Sequence, residues 1–169
     1  PTVIIYFFVR KYLENWFENL EVIKFSLLFV GVLLILADLY SRKLSNYKKI
    51  SPMTAILLGI GQGVSLIRGV SRSGAMLTIG LFAKAKRTEL IEFILLASIP
   101  VILGGLLIEW VDYLQHTPTE SAAVLIIGLT TSALSGYFAI LLLNKFISKN
   151  LLIYSGIYRI LIALVIFLT

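Results

Sequence analysis

Apolar residues gather into long runs along this chain, and short polar stretches separate them. A helix that spans a bilayer needs about 20 apolar residues. Four runs reach or approach that length, at about residues 22–39, 89–108, 122–143 and 151–168. This pattern predicts an all-α, polytopic membrane protein, with residues 1–169 in a single transmembrane domain.

Two shorter apolar runs, at residues 55–67 and 75–83, follow a different pattern. Each is too short to cross a bilayer, and the connector at residues 68–74 contains two arginines. The Ser51-Pro52 pair predicts the start of the first arm, since serine is a favoured N-cap and proline suits the first helical position.

Loop charge indicates how this segment lies in the membrane. The loops at residues 41–50 and 84–87 are both basic, so both are expected on the cytoplasmic side. Residues 51–87 must then enter the membrane and return, which predicts a re-entrant helical hairpin at about 52–83. The remaining loops agree with this parity, because residues 109–120 carry acidic but no basic side chains, whereas 144–150 contain two lysines.

Composition narrows the class of protein. Apolar residues make up 59% of the chain and charged residues 14%, against about 45–50% and about 25% in soluble domains. This excludes a soluble domain, a disordered chain and a nucleic-acid module. Without cysteine and with the single histidine His116, no metal site is predicted within this chain. The apolar run at residues 3–9 is too short to span, so we expect a C-terminal fragment whose first helix is incomplete.

The connector of the hairpin carries the candidate chemistry. Its sequence flanks an arginine with hydroxyls and glycines, in the order Gly69, Val70, Ser71, Arg72, Ser73 and Gly74. A serine N-cap, free N–H groups at a helix start and a guanidinium fork together favour a phosphate-bearing ligand. Alternatively, the arginines snorkel from a shallow interfacial loop and the serines are ordinary caps. Arg68, Gln62 and Thr78 are further candidates for ligand contact.

These residues resemble a known family. Residues 69–75, Gly-Val-Ser-Arg-Ser-Gly-Ala, are similar to the P-G-x-S-R-S-G-A-T signature of the undecaprenyl-diphosphate phosphatases, or bacitracin-resistance proteins. The similarity continues through Arg87, Glu92-Phe93 and Pro100, and returns at Tyr158-Arg159. Gln62 also matches a glutamine that is common upstream of the signature.

The resemblance implies a fold and an activity. Members hydrolyse undecaprenyl diphosphate to the monophosphate and phosphate in the cell membrane, which recycles the lipid carrier of cell-wall synthesis. Their fold has two inverted repeats with re-entrant helix pairs, and the present hairpin would be the second pair. Arg72 and Ser71 would be catalytic, and Ser73, Gly69 and Gly74 would help to bind the diphosphate. A homodimer is left open.

Three departures from the family pattern stand out. Arg68 replaces the signature proline, and Met76 replaces its threonine. The family's first signature, an acidic pair with serines and a histidine, is expected upstream of residue 1, and a divalent cation would bind through it. Glu14 and Glu18 have the spacing of that pair, but are interpreted as a solvated helix face. A transporter or flippase for polyprenyl phosphates, or a non-catalytic binder of them, is the alternative function.

Overall fold

The computed structural model of the protein describes residues 1–8, 20–115, 121–148 and 152–168. After a short helical segment at residues 2–8, these residues form six helices: α1 (Leu20–Arg42), α2 (Pro52–Val64), α3 (Arg72–Phe82), α4 (Arg87–Gln115), α5 (Ala122–Ser148) and α6 (Leu152–Leu168). The described part contains one isolated β-bridge and no β-strand. The predicted all-α class is therefore confirmed.

Three helices are long and apolar enough to cross a membrane. The segments with this property are Leu20–Arg42, Arg87–Val111 and Ala123–Leu142. The fourth predicted span, α6, is apolar, and its described part is 17 residues long. These lengths confirm a polytopic membrane protein, because helices of this kind match the thickness of a hydrocarbon core.

The long helices extend past the apolar runs that predicted them. α4 continues to Gln115 and α5 to Ser148, although loops were expected from residues 109 and 144. Polar residues continue a helix once it leaves the hydrocarbon, so hydropathy locates a span better than it locates a helix end. His116, Glu14 and Glu18 lie outside the described residues.

The chain divides into two compact units. The first contains Pro1–Ile94 and Asn150–Thr169, and the second contains Leu95–Lys149. The second unit thus holds most of α4 together with α5, whose membrane-length segment has 0% of its residues buried. The first unit holds the other helices and the whole hairpin.

Within the first unit, α1 and α6 pack closely and run antiparallel. Phe25 and Phe167 pack edge to face with ring centroids 5.5 Å apart. One glycine from each helix lies at the crossing, where a Cβ on Gly156 would lie 2.8 Å from the carbonyl oxygen of Gly31. Small residues allow such close contact, which is a common way for helices to pack in membranes.

The hairpin of α2 and α3 begins as predicted. Ser51 is the N-cap of α2, with its hydroxyl accepting a hydrogen bond from the N–H of Thr54 at 3.2 Å, and a proline follows in the first turn. The two arms meet where a Cβ on Gly61 would lie 2.5 Å from the Ile79 side chain. The segment at residues 2–8 covers the other side of α2, with Ile5 against Gly63.

The two basic loops pair with each other at the open end of the hairpin. The backbone N–H of Lys48 donates to the carbonyl oxygen of Lys84 at 2.9 Å, and the N–H of Lys86 donates to that of Lys48 at 3.3 Å. This forms the isolated bridge between Lys48 and Ala85. The chain between the loops therefore leaves and returns to one place, as the charge parity requires, while its re-entry into a membrane stays a prediction.

A buried carboxylate joins α1 to α4 beside this bridge. Asp38 is 0% exposed and accepts from Arg42 on its own helix, with Nη2 to Oδ2 at 2.7 Å. Arg87, at the start of α4, reaches its other oxygen with Nη2 to Oδ1 at 2.6 Å and also donates to the Ser41 hydroxyl. Two arginines thus neutralise one buried carboxylate.

We expect Asp38→Asn to destabilise the protein strongly. Removing one partner of a buried ion pair leaves an uncompensated charge, which costs about 3–5 kcal/mol. The measurement is thermal unfolding in detergent, beside Glu21→Gln as a control. Glu21 forms an exposed pair with Lys24, and such pairs contribute about 0–1 kcal/mol. Equal changes in Tm for the two variants would contradict a structural role for Asp38.

Candidate anion-binding site

The tip of the hairpin is a chain of tight turns between α2 and α3. The N–H of Leu66 donates to the Gly63 carbonyl oxygen at 3.1 Å, and the N–H of Val70 donates to that of Ile67 at 3.1 Å. These bonds satisfy backbone groups that would find no hydrogen-bond partner in a bilayer. The tip therefore keeps its irregular backbone while α3 starts immediately afterwards.

Gly69 fits the tip against α1. Its φ is +86°, and a Cβ at this position would lie 2.9 Å from both the carbonyl oxygen of Ile23 and the Cβ of Ser26. Only glycine meets both demands without strain. Gly69, expected to be a binding residue, is thus also what lets the tip pack on α1.

Ser71 caps α3. Its hydroxyl accepts from the N–H of Gly74 at 3.1 Å, and its backbone is extended, with φ −71° and ψ 128°. The hydroxyl of Ser73 lies 3.3 Å away and is exposed. The N–H groups of Arg72 and Ser73 have no partner within the helix, because they belong to its first turn. They form the positive end of the α3 dipole, which favours an anion.

Arg72 is the first residue of α3 and is half-buried. Within the described part of the chain, its guanidinium has no hydrogen-bond or ion-pair partner. Arg68 lies exposed in the turn before Gly69. The contrast with Arg42 and Arg87, which share Asp38, distinguishes Arg72 as a cation that the described residues leave without a counter-ion.

The remaining candidates lie inside the hairpin. Gln62 is 4% exposed, and its backbone carbonyl oxygen accepts a hydrogen bond from the Ser65 hydroxyl at 2.7 Å. Thr78 is 6% exposed, and its hydroxyl finds no hydrogen-bond partner among the described residues. Met76, at the position of the signature threonine, is 0% exposed. These side chains therefore belong to the buried part of the hairpin, unlike Ser73 and Arg72 at its tip.

The tip lies far from the basic loops along α1. Gly69 packs beside Ser26, and Arg42 lies sixteen positions after Ser26 on the same helix. At a rise of 1.5 Å per residue this is about 24 Å, whereas a hydrocarbon core is about 30 Å thick. The tip and the basic loops therefore lie near opposite ends of α1, and the depth of the tip in a membrane stays a prediction.

Two structural features escaped the sequence-based interpretation. Asp38 carried a detectable signal, since it ends an apolar run and has an arginine four residues later. Ser26 carried none, because a serine within a span is common and only the fold brings it to Gly69. Neither residue changes the set of candidate anion-binding groups at the tip.

Comparison with known proteins places this geometry in a family. The family described as "Bacitracin resistance protein BacA" matches residues 1–165. The chain belongs to the BacA family. Among curated relatives, the undecaprenyl-diphosphatase of Rubrobacter xylanophilus is 31% identical over 94% of this chain and 59% of its own length. That of Halothermothrix orenii is 36% identical, over 89% and 58% respectively.

The match confirms the resemblance on which the site residues were chosen. A third relative, the undecaprenyl-diphosphatase of Thermodesulfovibrio yellowstonii, is 35% identical over 92% of this chain and 60% of its own length. The chain therefore spans about three fifths of the length of these BacA relatives. The activity and substrate of the whole protein are therefore proposals.

We expect Gly69→Ala to loosen the tip. A side chain at positive φ costs about 1–2 kcal/mol, and the contact with the Ile23 carbonyl oxygen adds to it. Gly104→Ala is the control, because a Cβ there meets nothing within 4 Å and alanine favours a helix by about 1 kcal/mol. Thermal unfolding in detergent should lower Tm for the first variant only; an equal fall for both would refute the packing at Gly69.

Proposed function

We propose that the protein hydrolyses undecaprenyl diphosphate to undecaprenyl monophosphate and phosphate, in the cell membrane. The observation that carries the proposal is Arg72 at the N-terminus of α3, without an anionic partner among the described residues. The names of the BacA relatives support the substrate. This reaction would recycle the lipid carrier used in cell-wall synthesis.

The tip supplies donors in the arrangement that a diphosphate requires. Arg72 offers two parallel N–H donors that match phosphate oxygens. The first N–H groups of α3 lie at the same end, and Ser73 adds an exposed hydroxyl 3.3 Å from that of Ser71. Either of these two hydroxyls can donate to the other, so the pair keeps one proton that it can donate to an anion.

Hydrolysis places water on one phosphorus and breaks the bond to the bridging oxygen. Negative charge develops on the departing monophosphate, and a fixed guanidinium stabilises that charge more in the transition state than in the ground state. The base or nucleophile that activates water is proposed to come from the acidic signature expected upstream of this sequence.

A divalent cation does not fit the residues around Arg72. The tip presents a guanidinium, hydroxyls and N–H donors, whereas such cations prefer carboxylate and carbonyl oxygens. Within the described ranges, no three side chains of His, Cys, Asp or Glu group together to hold a metal ion. Binding of a cation through the upstream acidic signature therefore stays a prediction about residues beyond this sequence.

Arg72→Ala in the full-length protein should reduce phosphate release from undecaprenyl diphosphate by about 10²–10³-fold, as loss of a main oxyanion donor does. Arg72→Lys should retain part of the rate, since it keeps the charge without the fork. Lys43→Ala, in the exposed part of a basic loop, serves as the control.

Full activity of Arg72→Ala would refute the proposed role. Lipid binding without release in the unaltered protein would favour a non-catalytic binder instead. Movement of labelled lipid across vesicles without hydrolysis would favour the transporter.

We further infer that the diphosphate reaches the tip from the membrane face opposite the basic loops, since the tip lies about 24 Å from Arg42 along α1. Ser73→Cys should therefore react with a membrane-impermeant thiol reagent added outside intact cells. Lys49→Cys should react only after the membrane is opened. The sequence contains no cysteine, so each variant has a single thiol within residues 1–169. Labelling of Lys49→Cys alone in intact cells would reverse the assignment.

A further inference from the structure

The basic loops hold more positive charge than the fold neutralises. They carry seven cationic side chains, and Asp38 pairs with two of them, Arg42 and Arg87. The other five form no ion pair with any described residue: Lys43, Lys48, Lys49, Lys84 and Lys86. Four of these lysines are exposed, and Lys84 is half-buried. The excess charge is therefore on the surface rather than inside an ion-pair network.

The fold brings these lysines together from distant parts of the sequence. The backbone of Lys48 lies between Lys84 and Lys86, to which it is hydrogen-bonded on both sides. Lys49 follows directly, so two loops about 35 residues apart in the chain form one surface. Like charges repel each other, so such a grouping costs free energy that nearby anions would lower.

Lys84 occupies a backbone position that glycine would suit better. Its φ is +61°. Its N–H donates to the Leu81 carbonyl oxygen at 3.0 Å, and the N–H of Ala85 donates to that of Gly80 at 2.9 Å. This is a Schellman motif, in which glycine is the usual residue at the left-handed position. A lysine there is a conformational cost without a structural benefit in the described contacts.

Three exposed aromatic side chains lie near the same end of the hairpin. Tyr40 and Phe82 pack with ring centroids 5.6 Å apart and are 38% and 43% exposed. Tyr47 is 46% exposed and donates to the Ser41 carbonyl oxygen at 3.1 Å. Tyrosine and lysine together are typical of the level at which lipid headgroups lie. This places the lysine surface beside headgroups rather than in bulk water.

We propose that the two bridged loops form a docking surface for anionic phospholipid headgroups, separate from the tip that binds the diphosphate. The five unpaired lysines supply the charge and the aromatic side chains set the depth. Each lysine near a membrane surface strengthens attraction to anionic lipid by about fivefold. The surface would hold the open end of the hairpin in the headgroup layer while the tip stays about 24 Å away.

The test measures lipid selectivity, not activity. Full-length protein is reconstituted in phosphatidylcholine bilayers containing spin-labelled phosphatidylglycerol or spin-labelled phosphatidylcholine, and electron spin resonance gives the ratio of their association constants. The combined variant Lys48→Gln, Lys49→Gln and Lys86→Gln should lower the preference for phosphatidylglycerol by about fivefold or more. Raising the salt concentration from about 0.1 M to about 1 M should also weaken the preference of the unaltered protein.

Two controls separate position from total charge. The combined variant Lys48→Arg, Lys49→Arg and Lys86→Arg keeps the charge and should keep the preference. Lys24→Gln removes a lysine near the opposite end of α1, where it pairs with Glu21, and should also keep it. An unchanged preference in the glutamine variant, or an equal loss in Lys24→Gln, would overturn the proposal.

The Lys84→Gly variant tests whether misfolding explains a loss of lipid preference. Glycine relieves the left-handed backbone, so Tm should stay constant or rise while the preference for phosphatidylglycerol falls. If the glutamine variant instead lost undecaprenyl diphosphate binding and kept its phosphatidylglycerol preference, the surface would belong to the substrate and the proposal would fail.

Discussion

The hairpin of α2 and α3 depends on satisfying its backbone hydrogen bonds from within, as its predicted re-entry into a hydrocarbon layer would require. The turns between the arms bond to carbonyl oxygens of α2, and Ser71 closes the first turn of α3 through Gly74. The groups left over include donors, namely the first N–H groups of α3 and the Arg72 guanidinium. Donors without acceptors favour an anion. The tip is therefore suited to a phosphate by the same bonding that lets its backbone exist.

Charged side chains have different surroundings at the two ends of the hairpin. At the open end, Asp38 is fully buried and receives two arginines, so its charge is neutralised and helps to hold α1 against α4. At the tip, Arg72 meets no carboxylate within the described residues. Removing one partner of a buried ion pair is costly, whereas a cation without a counter-ion is a candidate for binding an anion. The distinction supports placing diphosphate chemistry at one end and membrane attachment at the other.

Much of the fold was predictable because membrane helices follow simple rules. The lengths of the apolar runs predicted the helices that are long enough to span a membrane. Loop charge predicted that the basic loops lie together, and Ser51 with Pro52 predicted where α2 begins. Helix ends were less predictable, since α4 and α5 continue through polar residues. The site was chosen from the residues around Arg72 and from family resemblance. That choice selected residues whose structural setting fits an anion, although their roles stay proposals.

The sequence by itself determined the class, the spans and the family, because each depends on local composition or on a contiguous signature. Tertiary structure alone decided three other matters: that Gly69 packs on Ile23 and Ser26, that Asp38 reaches Arg87 across 49 residues, and that Thr78 is buried without a hydrogen-bond partner among the described residues. Each of these is a contact, or the lack of one, between helices distant in sequence. Hydropathy and charge carry no information about such pairs, since they record what a residue is and not which neighbour it meets.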